Sequence, residues 1–239
     1  EAAHSFIDFG ATLMTYVAVR ISGKPADEEH PYGHGKIESS SALAETALLF
    51  LLSFVVIWEV GKRLLWHEAH HVEATLAAFI VVGLSIIVDF FRARALSRMA
   101  RRTSSQALEA DALHFSSDLW ASLAVLVGLV GVRYGLPWAD SAAAVVVAVL
   151  ICVAGWRLAR RTINTLTDAA PKGVANKVQS VARKVPGVVA VNLVRAREAG
   201  DKIFIDLSVD VSRTLPLDRL NALKQEIVNE SGKASPRSV

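Results

Sequence analysis

Apolar residues run along this chain in long, nearly unbroken stretches before giving way to a short alternating pattern. Five such stretches, at about 1–21, 39–66, 72–98, 108–134 and 138–164, approach or exceed the ~20 residues a helix needs to cross a hydrocarbon layer. They lack the every-second-residue alternation of barrel strands, and only helices or closed barrels satisfy their backbones in lipid. The pattern therefore predicts an α-helical transmembrane bundle over residues 1–168 with five visible spans. The phrase DAAPKGVANK, from Asp168 to Lys177, breaks it. Beyond that point the pattern predicts a helix at 173–185, a turn at Pro186-Gly187, strands at 188–198 and 202–211 joined through EAGDK, and a helix at 216–230. In the second strand Ile203, Ile205, Leu207, Val209 and Val211 alternate with Phe204, Asp206, Ser208 and Asp210, so one face is buried. Residues 169–230 thus read as a small α+β cytosolic domain, and 231–239 as a disordered tail. Two strands and two helices bury little, so association with a second copy or with a further strand is expected.

Composition strengthens the membrane reading. Of 239 residues, 52% are hydrophobic, too many for an ordinary soluble domain. The first stretch has no positively charged leader and already carries His4 and Asp8, so it reads as the interior of a longer protein and not as a signal peptide. Cys152 is the single cysteine, which excludes an intrachain disulfide and a Cys-based metal site.

Charge adds a topology. Arg92, Arg94, Arg98, Arg101 and Arg102 gather at and just beyond the end of the third stretch, and Arg157, Arg160 and Arg161 at the end of the last. Lys and Arg collect on cytoplasmic flanks, which places these ends, and the loop between Arg20 and Lys36, inside. The opposite loops hold His67, His70 and His71 but little positive charge apart from Lys62, Arg63 and Arg133 at the span ends. The net charge of +3 belongs to membrane flanks, and no interleaving of basic and aromatic residues marks a nucleic-acid surface.

Candidate chemistry lies inside the apolar stretches. ALHFSSDLWAS places His114 and Asp118 four residues apart, and HSFID places His4 and Asp8 at the same spacing. On a helix each pair shares one face. One pair alone is a structural hydrogen bond, a proton relay or half of a metal site. Two pairs on two spans bring two imidazoles and two carboxylates to one depth, a donor set that suits tetrahedral Zn²⁺. It also explains ionisable groups in lipid, which are expensive unless paired or wet. A second cluster lies in the loop PADEEHPYGHGKIE, which supplies Asp27, Glu28, Glu29, His30 and His34, and where Gly33 and Gly35 let the chain turn so that His30 and His34 can converge with Asp27 on a cation. A solvated polar loop is the competing reading. Glu45, Glu59 and Asp89 are expected to pair with nearby Lys or Arg, Asp89 with Arg92 or Arg94. Asp111, one turn before His114, could orient its ring.

The paired HSFID and HFSSD, the loop HPYGHGKIE, the phrase LEADALHFSSDLWASLAVLVGL and the later PGVVAVNLVRAREAGDKIFIDLSVDV together resemble the cation diffusion facilitator family of zinc and related metal exporters. The resemblance covers nearly the whole chain. It implies six spans followed by a metallochaperone-like αββαβ domain, in a homodimer that exchanges a divalent cation for protons. Against that pattern the first span and the last strand have no counterpart here. It further implies a transport site at His4, Asp8, His114 and Asp118, a loop site at Asp27, His30 and His34, and a dimer-stabilising ion pair between Lys36 and Asp168. Where zinc-binding members carry cytosolic histidines this chain has Asn192, Ser208 and Asn221, so that regulatory site is expected to be absent.

The expected activity is export of a divalent cation, Zn²⁺ first, by alternating access across the cell (inner) membrane, with protons as counter-substrate. Fe²⁺, Mn²⁺, Co²⁺ and Cd²⁺ are the alternative cargoes, since affinity alone does not discriminate among them. A free imidazole titrates at about 6.5, which suits exchange of metal for protons near neutrality. Partners are a second copy of the chain, the bilayer and the metal ion. A membrane metal sensor or scaffold that binds without moving metal is the alternative. An intramembrane hydrolase ranks last, because four protein ligands close the zinc shell and no His-Glu-x-x-His helix is present, so the chain is not read as an enzyme.

Overall fold

The computed structural model describes residues 2–66, 76–134 and 138–234. The chain divides into two compact units, one formed by residues 1–21 and 37–163, the other by 22–36 and 164–239.

Five long helices build the first unit: α1 (Ala2–Ser22), α2 (Lys36–Trp66), α3 (Leu76–Thr103), α4 (Gln106–Arg133) and α5 (Trp138–Leu166). Small and polar side chains fill its interior. Ala11, Ala42, Ala107, Ala110 and Ala148 are buried together with Thr15, Glu45, Thr46, Asp111, His114 and Thr162. The outside carries Phe6, Phe9, Phe54, Trp58, Ile80, Leu84, Phe91 and Trp156, all widely exposed. A water-soluble core would have the reverse arrangement, whereas lipid removes the drive to hide large apolar groups and leaves close packing through small residues. At Gly155 of α5 a β-carbon would lie 3.3 Å from the Phe50 ring of α2, so the missing side chain lets these helices approach. Among the described residues, Lys36–Lys62 and Ser141–Leu166 are long and apolar enough to cross a membrane by length and composition.

Element ends differ modestly from the sequence reading. The third helix runs on through its arginines to Thr103, with Ser104 in a left-handed turn (φ 55°) before α4. Residues 72–75 of that predicted span lie outside the described residues, as do His67, His70 and His71.

The second unit contains α6 (Val174–Ala182), β1 (Val188–Ala199), β2 (Lys202–Val211) and α7 (Leu217–Ala234). The strands pair antiparallel across a two-residue turn, Gly200-Asp201, whose Gly200 has φ 63°, the left-handed geometry that tight hairpins demand. Ala182, Val185, Val191, Leu223 and Ile227 form its core, against which Leu207, Val209 and Val211 pack. Two corrections follow. α6 is shorter than predicted, because Gly173 starts it from a left-handed backbone (φ 78°) and Pro186 lies just beyond its end. α7 continues to Ala234 where a tail was expected from 231. No proline intervenes before Pro236, and Ser231 is buried, which holds the last turn.

Candidate metal centre

Aspartate 8 on α1 and His114 and Asp118 on α4 converge inside the helical unit. His114 Nε2 lies 3.0 Å from Asp8 Oδ1 and 3.5 Å from Asp118 Oδ2, and one donor atom from each residue falls within 4.8 Å of the others. The helical period produces half of this: residues 114 and 118 sit one turn apart on one face. The packing of α1 on α4 produces the rest, across 106 residues of sequence. The His114 side chain is 4% exposed, while the two carboxylates are 24% and 22% exposed, so the imidazole is fixed and the acids remain reachable. A cavity of about 370 Å³ between α2, α4 and α5, lined by Leu52, Val56, Ala121 and Ile151, has Asp118 on its wall. One neutral imidazole and two carboxylates can neutralise and hold a divalent ion of the zinc type. His4 belongs to α1, one turn before Asp8, but its side chain lies outside the described residues.

Polar groups around this cluster correct part of the sequence reading. Glu45 is 2% exposed, and instead of a Lys or Arg it meets hydroxyls: Thr15 and Ser41 donate to Oε1, and Oε2 has no hydrogen-bond partner. The guanidinium of Arg92 stacks on the Phe115 ring, 3.8 Å from its centroid. Asp111 is buried, and its Oδ1 lacks a hydrogen-bond partner.

A second cluster forms in the loop of the other unit. His30 N donates to Asp27 Oδ1 at 2.6 Å, His30 Nδ1 lies 3.2 Å from the same oxygen, and His34 Nε2 lies 3.4 Å from Asp27 Oδ2. Gly33, at φ 78°, donates its N–H to the His30 carbonyl and turns the chain back, so that the two rings meet at 4.4 Å. The His30 backbone N–H, followed by its side chain, holds the Asp27 carboxyl below the usual carboxylate range. Glu28 is exposed and outside this cluster.

The same loop leans on the β-hairpin of its own unit. Lys36 Nζ reaches Asp168 Oδ1 at 2.9 Å and the Leu166 carbonyl at 3.2 Å, and Arg197 approaches the other Asp168 oxygen at 3.6 Å. Asp168 is set there by the end of α5. Its N–H returns to Thr165 O and that of Ala169 to Asn164 O, with Asp168 left-handed at φ 59°, a Schellman cap. Lys36 and Arg197 hold its carboxyl below the ordinary range. Arg197 also lies over the Tyr32 ring at 3.8 Å, and Tyr32 meets Phe204 edge-on at 5.5 Å. This Arg197–Tyr32–Phe204 stack escaped the sequence reading, since its members are distant in the chain and carry no motif.

In the hairpin domain Asn192 Nδ2 donates to Asp210 at 2.8 Å, and Asn221 is exposed. Among the described residues, only the two clusters above gather three or more His, Asp or Glu donor atoms closely enough for one ion.

A helical membrane unit with an ionisable cluster at its heart, followed by a small α+β domain, defines an integral membrane protein that handles cations. The chain belongs to the cation efflux family, the cation diffusion facilitators: residues 1–167 match the cation efflux transmembrane domain, and 170–235 match the cytoplasmic domain of cation efflux proteins, a dimerisation module by name. It is 32% identical over 220 residues to the cation-efflux pump FieF of Shewanella oneidensis, covering 92% of this chain and 74% of that protein. Similarity extends to the manganese efflux system protein MneS of Bacillus subtilis (27%; 95% and 78% covered) and to FieF of Yersinia pestis (31%; 93% and 74% covered). It is accordingly a membrane protein of a divalent-metal transport family with a cytoplasmic domain, not a member of an enzyme family.

Proposed function

We propose that the protein exports a divalent cation, Zn²⁺ in the first place, in exchange for protons, working by alternating access as a homodimer in the cell (inner) membrane. The convergence of Asp8, His114 and Asp118 inside the bundle carries this reading. His4, one turn before Asp8, completes the shell as the fourth ligand, and α1 to α5 serve as five spans of a six-span fold. Metal binding needs neutral imidazole and ionised carboxylate, so loading releases protons, and protons arriving from outside expel the ion. Asp27, His30 and His34 form a loop site of the same chemistry, and Lys36 with Asp168 steadies the dimer. The hairpin domain serves as a dimerisation platform without its own zinc site.

Zinc flux into proteoliposomes under an imposed pH gradient tests the proposal. Uptake that collapses with the gradient and is lost in Asp118→Ala and His4→Ala is expected. Intact binding without flux in the unaltered protein would replace transport by a sensor or scaffold role. The name of the MneS relative makes Mn²⁺ the leading rival cargo. Hard Mn²⁺ prefers oxygen ligands, so a profile of Zn²⁺ against Mn²⁺, Fe²⁺, Co²⁺ and Cd²⁺ should favour Zn²⁺ if both histidines ligate.

A further inference from the structure

Two cavities adjoin on the helical unit where α3 ends, α4 begins and α5 nears its end. The first, about 610 Å³, is walled by Arg101 of α3, Arg157 and Arg161 of α5 and Glu109 of α4. The second, about 530 Å³, shares Ser97, Arg101 and Ser116 with it and adds Arg94, Arg98 and Arg102. Among the described residues Glu109 is the one acid on either wall, and it is engaged by Arg161 at 2.9 Å. Arg101 and Arg157 have no carboxylate partner among the described residues. The preference of cytoplasmic flanks for basic residues explains why arginines are near these ends. It does not explain why two elements aim them into one recess that α4 lines with a single, already paired, acid.

We propose that this recess binds the phosphate of an anionic phospholipid from the cytoplasmic leaflet. Planar guanidinium forks match phosphate oxygens in pairs, and basic pockets between membrane helices on the cytoplasmic side suit such headgroups. The apolar part of the walls decides between a lipid and a soluble phosphate. Phe90 and Leu119 line the second cavity beside the arginines, and Phe90 and Phe91 stand exposed on the outer face of α3. A headgroup held by Arg101 and Arg157 therefore has apolar surface alongside for its acyl chains, which a free phosphate would leave unused. Binding here is independent of which ion the bundle carries.

Native mass spectrometry of the full chain in neutral detergent, titrated separately with phosphatidylglycerol and with phosphatidylcholine of the same acyl chains, tests the site. The anionic lipid should bind at least about tenfold more tightly, and Arg101→Gln with Arg157→Gln should remove that margin. The pair Arg101→Lys and Arg157→Lys, which keeps charge and fold, should recover only part of it, because an ammonium is a point charge. Arg160→Gln, exposed and on neither cavity wall, should bind as the unaltered protein does. Equal binding of both lipids, or an equal loss in Arg160→Gln, would reduce the effect to diffuse surface charge and overturn the proposal. Inorganic phosphate displacing the lipid at equal concentration would also overturn it, by showing a soluble anion site.

Discussion

Asp8 and His114 lie 3.0 Å apart in the interior of the helical unit, and a hydrogen bond between them does not account for a second carboxylate, Asp118, at 3.5 Å from the same ring nitrogen. Asp118→Asn, which keeps the volume and deletes the charge, should lower zinc affinity by about 10–100-fold or more, the loss typical of disturbing even the groups behind a metal ligand. Isothermal titration against Asp8→Asn and the unaltered protein checks it, and unchanged affinity would remove Asp118 from the ligand set. Glu45 permits a separate prediction. Glu45→Gln retains an acceptor for the Thr15 hydroxyl and should unfold near the unaltered temperature. Glu45→Leu strands that buried hydroxyl at a cost of about 1–3 kcal/mol and should unfold measurably earlier.

At the scale of elements, the loop from Ser22 to Lys36 and the β1–β2 turn approach through glycines. A β-carbon on Gly35 would stand 2.7 Å from Ala199 O and 2.9 Å from Gly200 N, both backbone atoms that cannot swing aside. Gly35→Ala should therefore cost about 1–3 kcal/mol, seen as faster hydrogen exchange at the Gly200 turn. Asp168 adds a pH dependence. Lys36 and Arg197 depress its folded pKa, so its contribution is present above the unfolded carboxylate value of about 3.9 and is lost as pH falls through the lower folded value. Asp168→Asn tolerates the left-handed backbone and isolates the charge. It should cost no more than about 1 kcal/mol at neutral pH, because the group is partly exposed, and should flatten this acid limb in hydrogen exchange.

Across the whole molecule, the two units follow opposite rules: one hides small and polar groups and shows large apolar ones, the other hides valine, leucine and isoleucine under a hairpin. Metal-binding donors cluster at two places among the described residues, so the full chain carrying Asp118→Ala and His34→Ala should titrate no sub-micromolar zinc. Residual tight binding would point to the hairpin domain and contradict the reading of Asn192, Ser208 and Asn221. The positions of the helices, the hairpin turn and the shared face of His114 and Asp118 were legible along the chain, because each depends on neighbours within one or two turns. The stopping points of α6 and α7 were less so, since Ser231 is held by burial that no local rule contains. Glu45 was legible as an anomaly but not in its partners: the nearest hydroxyl comes from another helix.

By itself the sequence determined that ionisable groups would sit in apolar helices and which of them would share a face, since a fixed helical period turns spacing into direction. Only the tertiary structure decided that Asp8 meets His114 across 106 residues, that Lys36 reaches Asp168, and that arginines of α3 and α5 open onto one recess. Those meetings depend on how whole helices and strands pack, a balance of many small contacts that no stretch of neighbouring residues contains.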